Sequence, residues 1–176
     1  MRKKREWYEG CSMHVMGRGV RRESIYNDGE DYEIFLKIVE STQEIMSFQL
    51  HSFCMMTNHF HMLITTQEKE IWHIMRRIMG NYAKYFNHKY GFKGHLFDSR
   101  YLSSITKNPM YFLEVSKYIH LNPVKAGIVN EPIAYPYSSY AALVSGKELK
   151  CLEREKVLGF FDGNREEQYR LFVEGE

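Results

Sequence analysis

Apolar and polar positions along this chain change period several times, and each change marks an element. Residues 10–17, Gly-Cys-Ser-Met-His-Val-Met-Gly, alternate as a half-buried strand does, and Arg18-Gly19 ends the run. Asn27-Asp28-Gly29 offers a helix N-cap, after which Tyr32, Phe35, Leu36 and Val39 recur at helical spacing to about Ser41. Ser47 to Met55, with Phe48, Leu50 and Phe53, reads as a second strand. Met56-Thr57-Asn58 then turns into a third, His59–Thr66, and the two make a hairpin. From Lys69 to Tyr90, the stripe Ile71, Ile74, Met75, Ile78, Tyr82, Tyr85 and Phe86 predicts a long amphipathic helix, broken by Gly91-Phe-Lys-Gly94. Leu96 to Thr106 holds a further strand. Asn108-Pro109 opens a last long helix, a capping side chain followed by proline at the first helical position. That helix is expected to run to about Leu121 and to stop at Asn122-Pro123, because a residue before proline is pushed out of the α region. Beyond Val124 the pattern dissolves into short helical pieces and turns, with Pro132, Pro136 and Ser138 marking a loop.

The order strand, helix, strand, strand, helix, strand, helix predicts the α+β class. Its expected form is a ferredoxin-like or RRM-like antiparallel sheet with helices packed mainly on one face. One domain is expected over residues 1–146, with its core from about residue 10, followed by an acidic C-terminal tail over 147–176 that carries no motif. A chain of 176 residues, 44% of them apolar, is long enough for one real core. Cys11, Cys54 and Cys151 are odd in number, widely spaced and form no CxxC pair, so neither a disulfide framework nor a thiolate zinc site is indicated, which fits a reducing, cytoplasmic setting. The basic start, Met1-Arg-Lys-Lys-Arg, leads into no apolar segment, and no run is long enough to span a bilayer, so no membrane association is expected.

Charge changes the picture more than composition does. The net charge of +2 hides blocks of opposite sign: seven basic against two acidic side chains over 1–22, two against nine over 23–70, nine against two over 71–130, and six against nine over 131–176. Two basic blocks flanking an acidic one fit a polyanion-binding face set against an acidic face.

Chemistry enters at Thr57-Asn-His-Phe-His-Met-Leu-Ile64. On a strand, His59 and His61 point to the same side, roughly 6–7 Å apart at the backbone, a geometry that suits one shared metal ion. With eight histidines in the chain, such a triplet is also compatible with ordinary core packing. Four positions apart on the last long helix, Tyr118 and Asn122 share a face and present a phenol and an amide together. Among thirteen tyrosines, a stripe through Tyr111 and Tyr118 is equally compatible with a core seam.

Taken together, Asn58-His59-Phe60-His61-Met62-Leu63 and Tyr118-Ile-His-Leu-Asn122-Pro-Val-Lys-Ala-Gly-Ile-Val129 resemble the single-tyrosine HUH transposases, above all the REP-associated tyrosine transposases. His14-Val-Met-Gly-Arg-Gly19, Ile25-Tyr26, Gly94-His-Leu-Phe97 with Arg100-Tyr101, and Tyr137-Ser-Ser-Tyr140 support the likeness, which runs from about residue 10 to 145. The resemblance implies a metal-dependent transposase that cleaves and rejoins single-stranded DNA near hairpins through a 5′-phosphotyrosine intermediate. It implies Tyr118 as nucleophile, His59 and His61 as ligands of Mg²⁺ or Mn²⁺, and Asn122 as third ligand, a position that holds glutamine in some members. No organic cofactor is implied. Insertion-sequence members are dimers with shared sites and REP-associated members act as monomers, so a homodimer is one expectation and a monomer the other. The basic residues Arg18, Arg21, Arg22, Arg76, Arg77, Lys84, Lys89, Arg100 and Lys125 are candidates to track phosphates while aromatic side chains stack on unpaired bases.

Three other readings compete. A domesticated hairpin-DNA-binding protein would keep the fold without strand transfer, but has no need of His59, His61, Tyr118 and Asn122 together. An unrelated metal hydrolase would add a carboxylate, and residues 51–67 contain none; Glu68 and Glu70 lie beyond the strand. An RNA-binding sheet of the RRM type reads bases through exposed strand aromatics, where paired histidines are out of place.

Overall fold

The computed structural model of the protein describes residues 6–175, so the basic run at 2–5 lies outside the described residues. Four antiparallel strands, β1 (Ser12–Arg18), β2 (Phe48–Met56), β3 (His59–Thr66) and β4 (Leu102–Ile105), form one sheet in the order β2-β3-β1-β4. The helices are α1 (Gly29–Gln43), α2 (Ile71–Tyr90), α3 (Pro109–Lys125), α4 (Tyr140–Ser145), α5 (Glu155–Leu158) and α6 (Arg165–Glu174). Local signals account for most boundaries. Asp28 caps α1 in a capping box with Asp31, and Asn108 caps α3 by accepting from the Tyr111 amide, with Pro109 at the first position.

The α+β class and the antiparallel sheet are as the pattern predicts, but helices cover both faces rather than mainly one. Met13 and Val15 of β1 with Phe60, Met62 and Ile64 of β3 pack on Phe35 and Val39 of α1 and on Ile74, Ile78 and Tyr82 of α2. On the other face, Cys54, Met56 and Leu63 meet Phe112 and Ile119 of α3, and behind them Tyr140, Leu143, Val157, Leu158, Tyr169 and Val173. The segment expected as a tail contributes Val157, Leu158, Tyr169 and Val173 to this second layer. Tyr169 and Val173, four apart on α6, are both buried, and Lys156 Nζ lies 2.9 Å from Ser12 Oγ and from Thr65 Oγ1, tying the segment to the sheet.

The β2 edge is closed by the Tyr137–Tyr140 turn. Met55 donates its amide to the Tyr137 carbonyl at 2.9 Å and Ser139 donates to the Phe53 carbonyl at 3.0 Å, so no bare edge remains there. Coverage is uneven across the sheet. Helix α3 packs against β2 and, less extensively, β3, while His14, Met16 and Arg18 of β1 stay only partly buried and Leu102 and Ser104 of β4 are exposed.

Helix α3 does not stop at Asn122. It continues through Pro123 to Lys125 and is ended by Gly127, which takes the left-handed conformation at φ +67°. The Gly127 amide donates to the Val124 carbonyl and the Ile128 amide to the Pro123 carbonyl, a Schellman closure. Proline at 123 removes the amide that would reach the Ile119 carbonyl, and Asn122 Nδ2 partly replaces it, donating to the Tyr118 carbonyl at 2.8 Å and to that of Ile119 at 3.4 Å.

Candidate active site

The site lies on the half of the sheet that α3 leaves uncovered. Its register is pinned from the opposite face. Gly17 pairs with Phe60, and a Cβ at 17 would sit 2.5 Å from the Phe60 ring, so only glycine admits that ring into the core. This register sets Met16 opposite His61 and Arg18 opposite His59. Paired residues share a face, so His59, His61, His14 and Arg18 project together.

Four rings meet there. His59 and His61 lie edge to face with centroids 5.0 Å apart, His14 stacks on His61 at 5.1 Å, and the Tyr118 ring sits edge-on to His61 at 5.6 Å and to His14 at 5.8 Å. Tyr118 is 41% exposed, so the phenol closes the cluster on one side and faces solvent on the other. Lys125 Nζ is 5.2 Å from the Tyr118 ring centre. His14 is the site residue that sequence reasoning did not single out. It lay in a supporting motif, and the available signal was its position four residues before Arg18 on one face of an alternating strand.

Hydrogen bonding sorts the ring nitrogens. His59 Nδ1 lies 2.6 Å from Asn58 Oδ1, and Asn58 Nδ2 is itself held by the Arg22 carbonyl at 3.0 Å. His61 Nδ1 lies 2.9 Å from His14 Nε2. Both imidazoles therefore have Nδ1 engaged, while neither Nε2 has a hydrogen-bond partner among the described residues. A ligating histidine shows this arrangement, with its second nitrogen oriented by an outer partner. All three histidines are held neutral. Burial lowers His14; burial, then the Arg18 charge, lowers His59; and burial with the neighbouring His14 and His59 brings His61 down to about 3.

Two neutral nitrogen donors fit a divalent ion that keeps several waters. Among the described residues no group of three or more His, Cys, Asp or Glu side chains is arranged to hold a metal ion. Asn122 is one helical turn from Tyr118, but its amide nitrogen is turned back onto its own helix. The structure thus brings Tyr118, His59 and His61 together and leaves Asn122 beside them, bonded to α3. His120 faces away: it is fully buried, with Nδ1 2.7 Å from Tyr169 Oη and Nε2 2.8 Å from Ser139 Oγ.

The basic candidates divide. Arg18 and Lys125 border the ring cluster, Arg18 being paired to Asp98 at 3.0 Å. Arg21 and Arg22 follow β1, are respectively exposed, and hold left-handed backbone angles of +51° and +61° in φ. Arg76 and Arg100 line a groove beyond the end of β1, and Lys84 is exposed on α2. Arg77 is half-buried with Nε unpaired. Lys89 is committed elsewhere: its ammonium pairs with Asp28, Glu30 and Asp31 at 2.8–2.9 Å and ties α2 to α1.

Residues 8–122 match the family model described as "Transposase IS200 like". The chain belongs to that family. Among solved structures it is similar to a REP-associated tyrosine transposase bound to a REP hairpin, with a TM-score of 0.69 at 20% identity over 87% of this chain and 92% of that one. A second, a putative transposase from Deinococcus radiodurans, matches with a TM-score of 0.48 at 17% identity over 68% of this chain and 95% of the other. No curated protein matches. The first likeness is one of fold, and it agrees with the four-stranded antiparallel sheet described above. Among the described residues no helix is long and apolar enough to cross a membrane.

Proposed function

We propose that this IS200-like transposase cleaves and rejoins single-stranded DNA beside a hairpin through a covalent 5′-phosphotyrosine on Tyr118. The observation that carries the reading is the packing of the exposed Tyr118 phenol against His61, which shares with its neighbour His59 an unengaged Nε2. In the cleavage step Tyr118 Oη gives up its proton and bonds to the scissile phosphorus, and the 3′ oxygen of the broken phosphodiester leaves as a hydroxyl. Rejoining reverses this, a 3′-hydroxyl attacking the phosphotyrosine and returning the phenol. The bond energy is kept in the phosphotyrosine, so no nucleotide cofactor is needed.

His59 and His61 would hold a Mg²⁺ or Mn²⁺ ion through Nε2, with Asn122 Oδ1 or water completing the shell. Such an ion supplies charge stabilisation at the phosphate oxygens. Asn58 and His14 hold the two imidazoles in the required tautomer and orientation. Lys125 places a positive charge beside the attacking ring, where it meets the incoming phosphate. Phosphate contacts by Arg18, Arg21, Arg22, Arg76, Arg77, Lys84, Arg100 and Lys125 belong to this same reading.

The test is a labelled library of single-stranded hairpins incubated with the purified chain and Mg²⁺ or Mn²⁺, then resolved on denaturing gels. A denaturation-resistant protein–DNA adduct is expected with the parent and absent from Tyr118→Phe and His61→Ala. Tight hairpin binding with no adduct from any substrate would instead support a binder without strand transfer.

A further inference from the structure

Two lysines have their ammonium groups drawn into the protein, and only one of them is neutralised. Lys89 is met by three carboxylates, those of Asp28, Glu30 and Asp31. Lys156, on α5, is partly buried and has no ion-pair partner among the described residues. Its Nζ lies 2.9 Å from Ser12 Oγ and from Thr65 Oγ1, and 5.4 Å from the centre of the Phe112 ring. An ammonium carries three N–H donors, the two hydroxyls take two, and no third acceptor is found among the described residues. Burial pushes the Lys156 pKa down, and the attraction of Glu153 does not cancel the effect. A charge withdrawn from water without a counter-charge is unfavourable, and an anion seated beside it relieves that penalty.

The hydroxyls around Lys156 are oriented by a relay that starts in the C-terminal segment. Glu153 accepts from His51 Nδ1 at 2.8 Å, and both of its carboxylate oxygens lie 3.3 Å from the Lys156 amide, so this carboxylate is engaged by other donors. In the neutral imidazole Nε2 is then the acceptor. The Thr65 hydroxyl, 2.7 Å away, therefore directs its proton to Nε2 and its lone pairs towards Lys156. His51 and Thr65 are buried, whereas Ser12 and Lys156 are partly exposed. The Ser12 hydroxyl, 2.7 Å from Thr65 Oγ1, keeps a proton that can turn to an incoming oxygen. A fixed cation and a free hydroxyl proton thus stand side by side, a pair suited to one phosphate oxygen each.

The place of this pair on the sheet says which phosphate it would meet. Ser12, His14, Met16 and Arg18 alternate with the buried residues of β1 and share one face. Ser12 is one strand repeat from His14, about 6–7 Å, a distance comparable to the span of one nucleotide. The Tyr118 ring sits against His14, and Ser104 of β4, which pairs with His14, is exposed, so this border of the face is open. A single strand seated at Tyr118 and laid along β1 runs from the ring cluster to Lys156.

We propose that Lys156 and Ser12 form a phosphate-binding site that holds a DNA phosphodiester one nucleotide from the linkage at Tyr118. The choice of a DNA phosphate rests on the strand-transfer reading; the anion-binding chemistry does not. The test uses the full chain and a stem-loop with single-stranded arms, without divalent metal so that no strand is consumed, and reads affinity by fluorescence anisotropy over a range of KCl. Lys156→Met, which keeps the apolar stem, should lower the slope of log affinity against log salt by about 0.7, the share of one phosphate contact on a single strand. Successive linkages of the arms are then made neutral as methylphosphonates. One of them, next to the linkage at which the adduct forms, should weaken binding by the parent and have no effect on Lys156→Met. This scan of the parent stands whether or not the variant folds, and Ser12→Ala, which keeps the charge, should weaken binding while leaving the slope unchanged. An unchanged slope in a Lys156→Met that melts as the parent does, or a scan with equal losses in parent and variant, would overturn the site and leave the phosphotyrosine reading intact. The expected slope and scan with no adduct from any substrate would instead uphold the phosphate site and overturn strand transfer. Inorganic phosphate that raises the melting temperature of the parent but not of Lys156→Met, beside an unchanged DNA slope, would overturn the assignment to DNA in favour of a free anion.

Discussion

His61 and His120 are both buried, and burial brings the pKa of each to about 3, yet they occupy opposite situations. His120, under α6, has both ring nitrogens bonded, to Tyr169 and Ser139. His61, on the uncovered half of the sheet, has one nitrogen bonded to His14 and the other free. Burial and a shifted pKa are thus common to a structural histidine and a candidate ligand. What separates them is an unengaged ring nitrogen on a histidine packed against an exposed phenol, because a group with all its hydrogen bonds made has nothing to offer a ligand without breaking one.

The comparison can be broken most severely at Tyr118. Replacing it with Phe removes only a hydroxyl on an exposed ring, and should lower adduct formation by about 10⁴–10⁶-fold, the scale seen for loss of a covalent nucleophile, while stability changes by less than about 0.5 kcal/mol. Parallel gel assays and thermal melts check this. The converse is expected at His120. His120→Ala strands the Tyr169 and Ser139 hydroxyls and opens a cavity, so denaturant titration should show a loss of about 2–5 kcal/mol, with any remaining folded protein still forming the adduct.

His14→Phe sharpens the contrast within the site. It keeps a ring on His61 but removes the bond to Nδ1, and Mn²⁺ affinity measured by calorimetry should fall by about 10–100-fold with little loss of fold. A smaller effect is the acid dependence of stability. The ordinary histidine value is 6.5, and the folded values for His61 and His120 are about 3, so the unfolded chain binds more protons between those limits. Stability from these groups is complete above about pH 6.5 and declines as pH falls towards 3, each contributing up to about 1.4 kcal/mol per pH unit. Urea titrations at stepped pH read this slope, and His120→Ala should remove its own share.

Much of the fold was legible because its signals are local. The period-two run at His59–Thr66, the Asp28 and Asn108 caps and the Ile71–Phe86 stripe each report on neighbours in sequence. The end of α3 was misread because proline is a local stop signal that a terminal turn can absorb when Asn122 supplies the missing donor and Gly127 provides the real stop. The segment after 147 gave no motif, although the spacing of Tyr169 and Val173 carried the buried face of α6; what it packs on depends on α3 and α4, remote in the chain. Within the candidate site, His59, His61 and Tyr118 were singled out by pattern and resemblance. His14 was not, since its place beside His61 follows from the β1–β3 register, and that is fixed by the fit of Phe60 over Gly17 on the other face of the sheet.

The central claim is that one particular phenol becomes bonded to DNA. The most direct measurement is mass spectrometry of the gel-purified adduct after nuclease trimming, to locate the residue that carries the nucleotide phosphate. The account predicts Tyr118. Phosphate on Tyr111, which is similarly exposed on the same helix at 43% but has no histidine against its ring, or on any other residue, would contradict it.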